Sequence, residues 1–153
     1  GRRFDRIVSI EMIEAVGHRF LDDYFRVCAS MLQPRGSMLL QAIVIADRQY
    51  DSYRRSVDFI QRYIFPGGCL PSLTAMCDAM TRSSDLRVGH LQDITAHYAT
   101  TLDRWRRNFR AASDTIARLG FDERFRRMWE FYFAYCEAGF RERHVLVHQI
   151  VIA

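Results

Sequence analysis

The 153 residues carry a formal charge of +4, every one of the 22 basic residues is an arginine, and 49% of the chain is hydrophobic against only eight glycines and three prolines. That composition excludes a disordered chain, and a chain of this length buries roughly 70% of the surface its unfolded form exposes, enough for one domain with a real core. No apolar run approaches the ~20 residues of a membrane span. The arginines alternate with acidic and large apolar residues rather than lining one face. An anionic membrane surface, met peripherally, is therefore expected as a partner in preference to nucleic acid.

In chain order, residues 4–12 (FDRIVSIEM) hold a continuous Ile-Val-Ser-Ile core of the kind that forms a parallel strand covered on both faces. A strand so near Gly1, with nothing before it, suggests a fragment of a longer protein. Apolar residues recurring at three and four from His18 to Leu32 predict an amphipathic helix, ended by the run QPRG. A second buried strand follows over 37–46 (SMLLQAIVIA), broken only by Gln41. Strand, helix, strand with short joints is a βαβ unit, so the class is α/β with a parallel pair.

Helical pieces over about 50–64 and 72–83 come next, separated by the stiff apolar run YIFPGGCLPS. A strand is predicted over 86–95, then two long helices over about 99–119 and 122–141, and a last strand over 145–153. The first long helix should bury Leu102, Trp105 and Phe109. Cys28, Cys69, Cys77 and Cys136 are widely spaced with no metal-binding pattern, which reads as reduced cytoplasmic thiols.

Ligands of open α/β sheets bind beyond the carboxyl ends of the strands, which directs attention to Glu11, Glu14 and the end of the second strand. Glu14 can orient a bound ion or cap the next helix. Glu11 reads as a strand-end surface charge. Gln41, a polar side chain inside an apolar strand, needs a hydrogen-bond partner, either backbone or ligand. Tyr98, at the end of a predicted strand, can hydrogen-bond a reacting group or anchor half in the core. Cys136 lies in WEFYFAYCEAGF, a helix so aromatic that it must be buried or line an apolar cavity; packing and reactive roles both stay open.

In order and spacing, FDRIVSIEMIEAVGH, LLQAIVI, SVDFIQRYIFPGGCLPS, HYATTLDRW and FRERHVLVHQIVIA resemble the C-terminal half of the cyclopropane-fatty-acyl-phospholipid synthase and mycolic acid cyclopropane synthase family. The likeness spans essentially the whole chain. It implies the C-terminal portion of one domain with a doubly wound, Rossmann-like methyltransferase sheet and helical insertions over the site. It also implies S-adenosylmethionine as methyl donor, a cis double bond in a phospholipid acyl chain as acceptor, a cyclopropane product and a bound bicarbonate as base. The bicarbonate set falls on Glu14, Gln41, Ile43 and Tyr98, and the family's site cysteine on Cys136. The YIFPGG run is expected to wall an apolar acyl tunnel, dry enough to protect a carbocation from water.

Gln41 stands where many members have His, and Ala15 where many have His after the Glu. Gln can donate to an oxyanion but does not titrate near neutrality. The glycine-rich cofactor loop has no counterpart, so cofactor-binding residues are unknown and the isolated chain is expected to bind S-adenosylmethionine poorly. The implied location is cytoplasmic, peripheral at the inner face of the membrane, with a homo-oligomer left open. Two alternatives stand beside this reading: a small-molecule amine methyltransferase of the same fold, and a non-catalytic lipid-surface-binding module.

Overall fold

A computed structural model describes residues 2–153. The described residues fall into two compact units, 2–94 with 145–153, and 95–144.

The first unit is framed by one sheet of order β1-β2-β4-β3, in which β1 (Phe4–Ile10) runs parallel to β2 (Leu32–Ile45), while β4 (Val145–Ile152) is antiparallel to both β2 and β3 (Val88–Asp93). Successive side chains on a strand point to opposite faces. On β2 the even positions Met38, Leu40, Ala42 and Val44 are buried and the odd positions Leu39, Gln41 and Ile43 are half-buried. The even set meets Ile150 and Ile152 of β4 and is covered by α1 (Leu21–Met31) and α4 (Leu73–Ser83), which contribute Leu21, Tyr24, Phe25, Met76, Ala79 and Met80. Tyr24 adds a hydrogen bond, its hydroxyl donating to Ser9 Oγ at 2.9 Å.

The expected βαβ unit is present, with two differences. β1 is not covered on both faces: it pairs only with β2 among the described residues, and Val8 and Ile10 are 65% and 50% exposed. QPRG does not separate helix from strand either. Leu32 is already extended and paired with Phe4, and the extra residues are taken up as a bulge before Arg6 meets Ser37, with Arg35 in the left-handed region at φ 68°.

The helical piece expected over 50–64 is two helices, α2 (Asp47–Tyr53) and α3 (Phe59–Tyr63). Asp58 stops and restarts the chain: its carboxylate accepts from Gln61 N–H at 2.8 Å while the Gln61 side chain accepts from Asp58 N–H at 3.0 Å.

The second unit is helical: α5 (Thr95–Ala111), α6 (Ser113–Arg118) and α7 (Glu123–Arg141). The single helix expected over 99–119 breaks at Ala112. α5 and α7 pack together through Phe109, whose ring lies 5.5 Å from that of Phe133, and through Arg106, whose guanidinium is 3.0 Å from the buried Glu137 carboxylate. Trp105 is 47% exposed, contrary to expectation. A helical stripe can step by three or four, and here it runs 102, 106, 109 because Arg106 has Glu137 to pair with. The aromatic helix α7 is likewise not wholly buried, since Phe131 and Tyr135 lie on an open face with rings 5.7 Å apart.

Candidate active site

β1 ends at Ile10, and Glu11 turns the chain away with φ 49°, a conformation that side chains other than glycine rarely adopt. Its N–H donates to the Gln41 carbonyl at 2.9 Å, and its Oε1 accepts from Gln41 Nε2 at 2.7 Å. On the other side, Gln149 Nε2 donates to Gln41 Oε1 at 2.8 Å. Gln41 and Gln149 are direct partners in the β2–β4 register, so their side chains share a face. The partner that Gln41 required is therefore neither backbone nor ligand alone, since two side chains hold the two ends of its amide.

A 3-10 turn over Ile13–Ala15 then carries Glu14 back to the end of β2. Ile43 N–H donates to Glu14 Oε1 at 2.6 Å, while Oε2 is shut off from solvent without a hydrogen-bond partner. Burial pushes the Glu14 carboxyl above its ordinary value of 4.5, the Ile43 and Glu14 N–H groups pull it back, and the Glu11 charge pushes it further up. Glu14 thus neither caps a helix through its side chain nor sits in bulk water.

The stiff YIFPGGCLPS run is fastened to this corner. Cys69 N–H donates to the Glu14 carbonyl at 2.8 Å, Ile45 N–H to the Pro71 carbonyl at 3.0 Å, and Leu70 N–H to Tyr53 Oη at 3.2 Å. The glycines serve the turn: Gly67 has φ 84°, and a Cβ on Gly68 would lie 3.1 Å from the Phe65 carbonyl. Phe65 and Tyr63 remain more than half exposed.

A second polar cluster lies beside α2. His18 Nδ1 is 2.7 Å from Tyr50 Oη, and Arg54 Nη1 is 3.2 Å from His18 Nε2. Arginine only donates, so Nε2 is the acceptor and Nδ1–H donates to the tyrosine. A hollow of about 300 Å³ opens there, lined also by Asp47, Asp51 and Arg82.

Glu14, Gln41 and Ile43 come together in the sheet unit. Tyr98 and Cys136 belong to the helical unit. Tyr98 falls in the first turns of α5 rather than at a strand end, half-buried with its ring 5.1 Å from that of Phe140, and Cys136 is a half-buried free thiol on α7. Glu11, read from sequence as a surface charge, is the residue missed. The need of Gln41 for a partner, together with parallel pairing of the two strands, was the signal that could have found it.

The unpartnered, shielded Glu14 Oε2 with its raised proton affinity fits a small oxyanion such as bicarbonate, which can share a proton with a carboxyl group. Among the described residues none is assigned to S-adenosylmethionine.

A mixed α/β sheet with a carboxylate held at the carboxyl ends of its parallel strands defines the class, and the structural neighbours are class I methyltransferases. The chain belongs to the mycolic acid cyclopropane synthetase family, whose model matches residues 1–150. It is 44% identical over 147 residues to the tuberculostearic acid methyltransferase UfaA1 of Mycobacterium tuberculosis, covering 96% of this chain and 34% of that protein. It is 38% identical over 152 residues to the cyclopropane-fatty-acyl-phospholipid synthase of Escherichia coli K12, covering 99% and 38%. Among solved structures, the mycolic acid cyclopropane synthase CmaA1 complexed with SAH and CTAB superposes with a TM-score of 0.87 at 29% identity, over 99% of this chain and 56% of that one. The chain thus spans 34–38% of the length of these two curated relatives.

Proposed function

We propose that the protein transfers a methyl group from S-adenosylmethionine to the cis double bond of an unsaturated phospholipid acyl chain and that the product closes to a cyclopropane ring. Family membership and the relatives named above support a lipid methyltransferase. The observation that carries the reading is the Glu14 carboxylate, held through Oε1 by Ile43 N–H with Oε2 buried and unpartnered.

Methyl transfer to one alkene carbon leaves a cation at the other, and ring closure expels a proton from the transferred methyl. Bicarbonate, when bound, supplies a base for that proton. Glu14 and the Gln41 amide hold the anion, and Ile43 N–H fixes the Glu14 carboxylate. The resemblance assigns Tyr98 a hydrogen bond to the same anion and Cys136 the place of the family's site cysteine. The resemblance assigns the YIFPGG run to an apolar wall that keeps water from the cation, which water would otherwise capture. No described helix is long and apolar enough to cross a membrane, and in this reading the enzyme works from the cytoplasmic surface of an anionic bilayer.

A second reading is favoured by the 44% identity to a tuberculostearic acid methyltransferase: the cation rearranges by a hydride shift and loses its proton to leave a methylene branch. Ring and branch each add one CH₂ and are isomers. The test is incubation of the full-length protein with labelled S-adenosylmethionine and vesicles of unsaturated phospholipid, followed by NMR of the acyl product. Upfield ring protons support cyclopropane formation, vinylic protons support the branch, and unmodified acyl chains with a folded enzyme contradict both.

A further inference from the structure

We infer that Glu11 is a positioning residue that sets the polarity of the Gln41 amide, so that its NH₂ end and not its carbonyl end serves the anion held at Glu14. The inference rests on the function proposed above and concerns the same site.

The two ends of a glutamine amide are nearly equal in shape and opposite in hydrogen-bonding sense, so a site built on glutamine must specify which end faces where. Gln41 is held at both ends, to Glu11 Oε1 at 2.7 Å and from Gln149 Nε2 at 2.8 Å. The two holders are not equivalent. Gln149 can rotate its own amide and offer either a donor or an acceptor, whereas an ionised Glu11 only accepts. Reversal of Gln41 would set its carbonyl oxygen against a carboxylate oxygen at hydrogen-bond distance. Polarity therefore enters the relay at Glu11 and passes through Gln41 to Gln149. Gln41 uses one of its two amide N–H bonds on Glu11, and the other remains available for an oxyanion.

The backbone shows that Glu11 is held there against local preference. It has φ 49° at the end of β1, and its N–H is bonded to the carbonyl of Gln41, the residue its side chain orients. Strained positions of this kind persist where the surroundings over-determine them, and they gather at functional sites. Glycine relieves that strain and removes the carboxylate together, which lets stability and positioning be separated.

The test uses the full-length protein as wild type, Glu11→Gln, Glu11→Gly, Gln41→Leu and the double variant Glu11→Gly with Gln41→Leu. ¹³C-bicarbonate binding is followed by NMR without lipid, and kcat and KM for unsaturated phospholipid are measured separately. Because an orienting bond to a charged group is lost, Glu11→Gln and Glu11→Gly each weaken bicarbonate binding and lower kcat by about tenfold or more, with the lipid KM unchanged. Glu11→Gly does so with a Tm at or above that of wild type, and Glu11→Gly adds nothing in the Gln41→Leu background. Wild-type kcat and bicarbonate affinity in Glu11→Gln, or losses in Glu11→Gly that track a lowered Tm, overturn the inference while leaving the proposed function standing. Bicarbonate binding that depends on Glu11 in a protein that modifies no lipid upholds the relay and removes the proposed function. A wild-type protein that binds no bicarbonate overturns the inference whatever its activity.

Discussion

Along β2, Met38, Leu40, Ala42 and Val44 are at most 1% exposed beneath α1 and α4, whereas Leu39, Gln41 and Ile43, each one residue away, stand on the half-open face. The first face is read by volume, and any apolar side chain of the right shape serves it. The second is read by hydrogen-bond sense: Glu11, Gln41 and Gln149 are joined end to end, and swapping donor for acceptor at one point disturbs the next. Substitutions on the first face should therefore change stability and carry activity with it, while substitutions on the second should change chemistry and leave the fold in place.

The largest effect expected on stability is on the dry face. Leu40→Ala removes a side chain with no solvent exposure and costs about 3 kcal/mol, readable by urea unfolding. A loss below about 1 kcal/mol would mean that the helices above it readjust, and the contrast between the faces would weaken. Tyr24→Phe keeps the ring and removes the hydroxyl that donates to Ser9, a change of about 1 kcal/mol by the same measurement.

The smallest expected effect comes from the other side and differs in sign. Glu14 holds its proton more tightly in the folded protein than in the unfolded chain, so the stability linked to that proton is fully present below pH 4.5 and is lost as pH rises through the raised value. Glu14→Gln never ionises and escapes that loss. Its Tm relative to wild type should rise from pH 4 toward neutrality, measured by thermal unfolding across that range. A difference independent of pH would mean that the carboxylate is not destabilised by burial.

What was legible in sequence followed the same division. The continuous apolar run in SMLLQAIVIA gave β2 as a strand but not which of its two faces is the dry one, and the strand-helix-strand order gave the parallel pair. Gln41 stood out because a polar group in an apolar strand must be satisfied. Its partners did not, since Gln149 lies 108 positions away and meets it only through the β2–β4 register. Glu11 was hidden because a left-handed turn at a strand end leaves no mark when the residue is not glycine. Trp105 was misplaced because steps of three and four are both helical, and only the ion pair with Glu137 shows that Arg106 takes the inward position. The role of the YIFPGGCLPS run as a strap was not visible locally either, for the hydrogen bonds of Cys69 and Pro71 go to Glu14 and Ile45, both distant in the chain.

The most direct single measurement is the initial rate of phospholipid methylation by the full-length protein as bicarbonate is titrated from depleted buffer, with Glu14→Gln run beside wild type. The half-buried carboxylate, fixed by Ile43 at Oε1 and left without a partner at its buried Oε2, predicts a saturable bicarbonate dependence in wild type. It also predicts a rate in the variant lower by about a hundredfold or more that bicarbonate does not restore, the scale of a lost acid–base group. A wild-type rate indifferent to bicarbonate, or a Glu14→Gln protein that keeps the wild-type rate and dependence, would contradict the role assigned to Glu14.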